Sequence, residues 1–446
     1  MLTAALAAAV VIAQPPTRES PLATPYWTQV DGARTFNTVE RLASFETRHT
    51  LSDLNPDAQR GLGPAAAWLK AELASYGVRS SIEEFDAPPS VRLPDGAKIL
   101  NVVGVVPGTD PAASDRVSYV VGHYDSRNGD AMDAVGASPG ANDDASGVAV
   151  VLECARLVAA NPLESTVVFL CTAGEEQGLV GAHFHAKTLA AEGKYRVVHV
   201  LNNDIVGDPS PPFIGADGEP RGDAASVIRV FSEGMPRKAS AEELAKIRLE
   251  GAESDSPSRQ LARFAAFIAR REATPVRPML VFRQDRFLRG GDHAAFNEAG
   301  FAAVRFTVGS EDYSRQHQNV TERDGRPYGD VPEFVSAEYL KGVTQLNLAT
   351  LVHLANAPAP PANARMLAKE LTTDATLAWD PSPGAAGYEV VWRETTSPDW
   401  THARDAGDAT TLTLPMSKDN FYFGVRAYDA DGFVSPVSFG WADRSK

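Results

Sequence analysis

The chain has 446 residues, 43% of them hydrophobic and 22% charged, which is the balance of a globular protein. That length exceeds one ordinary hydrophobic core, so two domains are expected. A formal net charge of −15 argues against a nucleic-acid partner, which would need a basic face.

The chain opens with MLTAALAAAVVIAQPP, an apolar run with Val11 and Ala13 at the −3 and −1 positions of a cleavage site. This reads as a signal peptide over residues 1–13, although it lacks the usual Lys or Arg, and it predicts a secreted or periplasmic protein. It falls short of the roughly 20 apolar residues of a membrane-spanning helix, and no later stretch qualifies.

From about residue 60 to 355, apolar strand-like runs alternate with helical periods. AAAWLKAELASYG reads as a helix stopped by Gly77. KILNVVGVVPG, RVSYVVGHYDS, STVVFLCTAGEE, VVHVLNND and FAAVRFTVG read as strands, and Val148, Val151, Leu152, Ala155, Val158 and Ala159 recur at helical spacing. Such alternation predicts an α/β sandwich with a largely parallel sheet. Residues 208–280 are less regular: a loop-like GDPSPPFIGADGEPRGD precedes a helix in SPSRQLARFAAFIARRE, and the insertion is expected to form a lid or rim. Cys154 and Cys171 fall inside apolar runs without CxxC spacing, which reads as buried thiols more readily than as a disulfide.

At NAPAPPANA the texture changes to a Pro/Ala-rich linker over 357–363. Alternating runs such as GYEVVWRE and FYFGVRAYDADG then predict an all-β sandwich over 364–446, leaving 14–356 as the α/β domain. The segments LAWDPSPGAAGYEVVWRE and FGVRAYDADGFVSPVS resemble a fibronectin type III domain, with Trp379, Tyr388 and Tyr422 as core aromatics.

Chemistry-bearing residues gather where the α/β strands end, the place where an open parallel sheet binds ligands. In VVGHYDS, His123 and Asp125 share a face of the strand; they read either as a structural pair or as a metal ligand with its orienting carboxylate. Glu175 and Glu176 follow another strand, as a helix-start acidic turn or as a ligand and a general base. Asp204 lies inside an apolar run, where an unpartnered carboxylate is costly. His317 follows FAAVRFTVG. The stretch SPGANDDASGVAVVLECARLVA adds Asp143 and Asp144 before a helix that Ser146 is placed to cap. A mixed imidazole and carboxylate set suits zinc, and a pair of metals needs one shared carboxylate.

In order, HYDS, GANDDASG, AGEEQG, NND and the late His resemble the M28 family of zinc peptidases of the bacterial leucyl-aminopeptidase type, from about residue 95 to 355. FRQDRFLRGGDHAAFNEAGFAAVRFT is similar to the same family's segment before its last ligand. The resemblance implies a three-layer α/β sandwich with a mostly parallel mixed sheet, two Zn²⁺ per chain, and a peptide substrate with a free N-terminus. It implies that His123 and Asp204 hold one zinc, Glu176 and His317 the other, and that Asp143 bridges them. Glu175 would be the general base acting on a water between the metals, Asp125 the partner of His123, and a cis peptide would join Asp143 to Asp144. Asp144, Asp292 and His293 are candidates for the shell around the ligands, and Tyr313 for an oxyanion donor. The RQHQNVT segment departs from the Thr-Pro or Tyr-Thr of many relatives, which puts the substrate pocket on different residues. Two competing readings remain: a glutaminyl cyclase-like single-zinc enzyme, and a non-catalytic binding ectodomain. The C-terminal sandwich reads as a spacer or as a contact to a cell surface or polymer.

Overall fold

The computed structural model describes residues 22–220, 224–369 and 372–443; the expected signal peptide lies outside them. The chain divides into two compact units, one over Pro21–Asn356 and one beginning at Ala357. No helix among the described residues is long and apolar enough to cross a membrane.

In the first unit the helices are α1 (Thr24–Trp27), α2 (Gly32–Ala43), α3 (Leu62–Ser75), α4 (Ser146–Ala160), α5 (Val180–Glu192), α6 (Ala241–Leu249), α7 (Pro257–Glu272), α8 (His293–Ala299) and α9 (Ala337–Asn356). The strands are β1 (Arg79–Ala87), β2 (Ala97–Val106), β3 (Arg116–His123), β4 (Thr166–Thr172), β5 (Val197–Asn203), β6 (Val227–Ser232), β7 (Arg277–Val281) and β8 (Ala302–Val308). These eight strands form one sheet in the order β1-β2-β4-β3-β5-β8-β6-β7, and its centre, β4-β3-β5-β8, is parallel. The predicted mixed α/β sheet is therefore observed.

The central strands are buried on both sides, which is why they read as continuous apolar runs. Val117, Tyr119 and Val121 of β3 face Ala182 and Ala186 of α5 and Phe296 of α8. Their alternates face α4, which lies so close that a Cβ on Gly122 would meet the backbone of Gly147 at 2.8 Å. Only glycine at 122 permits that approach. Helices α4 and α9 thus cover one face and α5 and α8 the other. Cys154 on α4 and Cys171 on β4 are buried free thiols.

Two expectations for this unit change. Within 208–280, the part from β6 onward does not form a lid: β6 and β7 extend the sheet edge, and α7 packs on β7, β8 and α9. Ser146 does not cap α4; its hydroxyl donates to the Asn142 carbonyl, while the Asp144 carboxylate accepts the Gly147 N–H at 2.9 Å. A charged acceptor at the helix start displaces a neutral one.

The small hairpin of β9 (Thr321–Arg323) and β10 (Arg326–Tyr328) follows the sheet. The second unit contains β11 (Arg365–Leu367), β12 (Ala375–Ala378), β13 (Gly387–Glu394), β14 (His402–Gly407), β15 (Thr411–Leu414), β16 (Phe421–Tyr428), β17 (Ser438–Phe439) and β18 (Trp441–Asp443). They form two four-stranded sheets, β15-β12-β11-β18 and β14-β13-β16-β17, around Trp379, Tyr388, Trp392 and Phe423. Tyr422 is not in that core: alternation along β16 points Phe423, Val425 and Ala427 inward and leaves Tyr422 against the Arg393 guanidinium.

Candidate active site at the ends of the parallel strands

Four neighbouring parallel strands deliver the candidate residues to one end of the sheet. His123 is the last residue of β3, Glu175 and Glu176 follow β4, Asp204 follows β5, and His317 lies in the loop after β8. Asp143 enters from the loop before α4. The peptide bond between Asp143 and Asp144 is cis.

Two groups of side chains share Asp143: His123, Asp143 and Asp204, and then Asp143, Glu176 and His317, with the potential ligand atoms of each group within 4.8 Å of one another. His123 Nε2 lies 3.1 Å from Asp143 Oδ1 and 3.9 Å from Asp204 Oδ1. His317 Nε2 lies 2.9 Å from Asp143 Oδ2 and 2.8 Å from Glu176 Oε1. All but His317 are buried. Burial opposes the charge of Asp143, yet His317 and His123 hold its carboxyl well below the ordinary range. Against the same burial, Glu176 and Asp143 lift His317 to about 9. Burial pushes the Asp204 carboxyl upward, against the pull of Arg305. Glu175 lines the cleft beside this set, and burial, with Asp204 and Glu176 adding to it, raises its carboxyl well above the usual carboxylate range.

Asp125 sits behind the candidate ligands. Its backbone oxygen is 3.1 Å and its Oδ1 3.6 Å from His123 Nδ1, while its carboxylate accepts the N–H groups of Glu175 and Glu176 at 3.3 and 3.2 Å. Asp125 thus orients the imidazole chiefly through its backbone oxygen and the Glu pair through its carboxylate. Asp144 turns away from the cleft and accepts the N–H groups of His123, Gly147 and Ile205. It ties β3, α4 and the residue after Asp204 together. Ile205 adopts φ 64, a left-handed conformation costly for a β-branched residue and tolerated where surrounding bonds fix it. Asp292 is buried with the Thr172 hydroxyl on Oδ2 and no partner on Oδ1, and burial pushes it up to about 7. His293 starts α8 with Nε2 on the Gln284 carbonyl at 2.9 Å, and burial lowers it to about 4, so it is neutral. Tyr313 is 59% exposed, near Arg289 and outside the cleft lining.

Several residues that hold the site escaped the sequence reading. Arg48, fully buried, donates to the carbonyls of Tyr124, Leu42, Pro139 and Gly140. Asp330 accepts the N–H groups of Asn142 and Asp143. Arg305 donates to Asp204 Oδ1 at 2.7 Å, and Gln316 to Asp143 Oδ2 at 2.9 Å. An arginine inside the apolar strand FAAVRFTVG was the one legible signal among them. The cleft over the site has a volume of about 540 Å³, with the segment around Arg286–Gly290 as one wall.

This arrangement agrees with what the chain is similar to. Residues 101–330 match the model of peptidase family M28. A probable zinc metalloprotease of Pyricularia oryzae is 42% identical over 425 residues, covering 92% of this chain and 82% of that protein. One of Leptosphaeria maculans is 40% identical over 409 residues, covering 90% and 92%. Among solved structures, the LapA aminopeptidase of Legionella pneumophila shares the fold with a TM-score of 0.52 at 18% identity, covering 77% of each chain. With the family's segment spanning β3 to the loop after β8, where the five candidate ligands converge, the chain belongs to peptidase family M28.

Proposed function

We propose that the protein is a zinc-dependent aminopeptidase that holds two zinc ions and removes residues from the free N-termini of peptides. The observation that carries this reading is the sharing of Asp143 between two ligand groups. One carboxylate with an oxygen toward each group suits two cations a few ångström apart. The fit is supported by His123 Nε2, which is buried between Asp143 and Asp204 yet has no aligned hydrogen-bond partner. Two imidazoles and three carboxylates are a donor set suited to zinc. The names of the fungal relatives and of the Legionella fold neighbour point the same way.

His123 and Asp204 would hold one ion, Glu176 and His317 the other, and Asp143 both. Zinc bound there supplies a Lewis acid and lowers the pKa of water. The rest falls to the chain's own groups. Glu175, at the cleft floor, takes a proton from the attacking water on its carboxylate and returns it to the leaving amine nitrogen. Asp125 keeps the His123 ring turned and the Glu175–Glu176 backbone in place. Buried Arg48 and Asp330 fix the loop that carries Asp143.

Turnover of aminoacyl-p-nitroanilides and dipeptides, before and after chelation and on zinc add-back, tests the proposal. Loss and recovery of activity is expected. Full activity after metal removal would overturn the metallopeptidase reading, and cleavage of N-blocked peptides alone would overturn the aminopeptidase one. We further read the C-terminal unit as a fibronectin type III-like spacer, so a chain ending at Asn356 should still cleave small substrates. Loss of turnover with an intact fold would count against that. Export through residues 1–13 predicts a secreted or periplasmic protein whose N-terminus, by mass spectrometry, is Gln14; an intact Met1 would refute it.

A further inference from the structure

The lining of the cleft carries four arginines as well as four carboxylates. Arg92, Arg127, Arg286 and Arg289 line it together with Asp143, Glu175, Glu176, Asp204 and His317. The four carboxylates already have work in the proposed reaction, three as ligands and one as base. The arginines differ among themselves. Arg286 is paired with Asp285 and Glu311, at 3.1 and 2.6 Å. Arg127 donates to Glu176 Oε2 at 3.0 Å and approaches His317 Nδ1 at 2.7 Å. Arg289 and Arg92 have no carboxylate partner among the described residues. Arg289 reaches His317 Nδ1 at 3.5 Å and lies 5.9 Å from the centre of the Tyr313 ring, and Arg92 donates to the Glu176 backbone carbonyl at 2.6 Å. Two guanidinium groups without a carboxylate partner among the described residues therefore line the cleft that holds the candidate ligands. Guanidinium forks recognise carboxylates in bidentate fashion, and such contacts are stronger in a partly enclosed cleft than at an open surface.

We propose that this cleft selects peptides that carry a carboxylate beside the cleaved bond, and that Arg289, with Arg92, receives it. The inference rests on the aminopeptidase reading and deepens it. The carboxylate has two chemical sources: an acidic side chain on the first residue, or the free C-terminus of a very short peptide.

Two isosteric pairs separate these sources: Glu- against Gln-p-nitroanilide, and Leu-Gly against Leu-Gly-amide. Each pair differs at one group, so the acid-to-amide ratio of kcat/KM is internally controlled for any disturbance of the site. The wild-type protein is expected to favour the acid by about tenfold or more in one pair, through KM, with the preference shrinking as salt rises. The pair that responds identifies the source. In Arg289→Gln, and more so with Arg92→Gln added, the ratio should fall toward one. Calorimetric binding of glutamate against glutamine, and of Leu-Gly against its amide, to the zinc-loaded Glu175→Gln protein reads the same preference without turnover. Acid and amide bound and cleaved within about twofold of each other in both pairs would overturn the inference while leaving the aminopeptidase standing. A preference that survives Arg289→Gln with Arg92→Gln would overturn it as well. If none of the four substrates is cleaved but N-blocked peptides are, the aminopeptidase reading fails, and the binding ratios still decide whether the cleft selects carboxylates.

Discussion

The Asp330 carboxylate accepts the backbone N–H of Asp143 at 2.7 Å and that of Asn142 at 2.8 Å, from 187 and 188 residues away. Both oxygens are used, so the loop that presents the shared Asp143 carboxylate is held by its own backbone. Arg48 grips the same loop from the other side through the carbonyls of Pro139 and Gly140.

Asp330→Asn would keep the shape and lose half of this grip. The amide offers one oxygen acceptor, and its NH₂ group meets the second backbone N–H donor against donor. A stability loss of about 1–3 kcal/mol is expected, read as a lower Tm, together with weaker zinc retention under dialysis. An unchanged Tm and metal content would show that the loop does not depend on Asp330.

Removing Asp143 touches both proposed ions, while removing His317 touches one. Metal analysis of purified variants should therefore find about one zinc in His317→Ala and well below one in Asp143→Ala, against about two in the wild type. Both variants should lose at least about a hundredfold in kcat. One zinc in the wild type would instead favour a single-metal enzyme of the cyclase kind, and pyroglutamate formation would identify it.

Glu175 supplies no ligand atom to either group. Glu175→Gln should thus retain fold and zinc, with kcat falling by about 10²- to 10⁴-fold and KM changing little. Parallel loss of zinc would reassign the residue to the metal's coordination.

The candidate ligands were legible from local sequence: His123 and Asp204 interrupt or follow apolar runs where strands end, in VVGHYDS and VLNND, while Asp143, Glu176 and His317 fall in polar loop motifs. The groups that hold these candidates in place were not, because their partners are distant in sequence. Arg48 binds Gly140 across 92 positions and Arg305 binds Asp204 across 101. No period or spacing records such a bond. Ser146 and Tyr422 were misplaced for a different reason: each choice turned on a single residue. A carboxylate two residues upstream took over the helix start from Ser146, and strand alternation exchanged Tyr422 for Phe423. The strands and helices of the α/β sheet were legible from period; the order β4-β3-β5-β8 was not.

Acid stability provides a test away from the site. Glu272, at the end of α7, accepts the N–H groups of Leu22 and Ala23 at 2.9 and 3.0 Å, and His353 of α9 lies 2.8 Å from its Oε1. The Thr24 hydroxyl and Trp27 indole donate to Oε2, so one carboxylate joins α1, α7 and α9. Burial opposes its ionisation, but these donors outweigh it and hold the carboxyl at about 2, below its ordinary 4.5. The folded state therefore binds the proton more weakly than the unfolded chain does. The resulting stability is fully present above pH 4.5 and is lost as pH falls toward 2, with a size on the order of 3 kcal/mol. Glu272→Gln keeps the volume but removes this term at neutral pH and leaves the amide NH₂ facing donors. Denaturant unfolding of chelated wild type and variant, so that metal loss does not intrude, should show the two curves far apart at pH 6 and converging as pH approaches 3. A constant separation across that window would mean that the charge of Glu272 is not what binds the three helices.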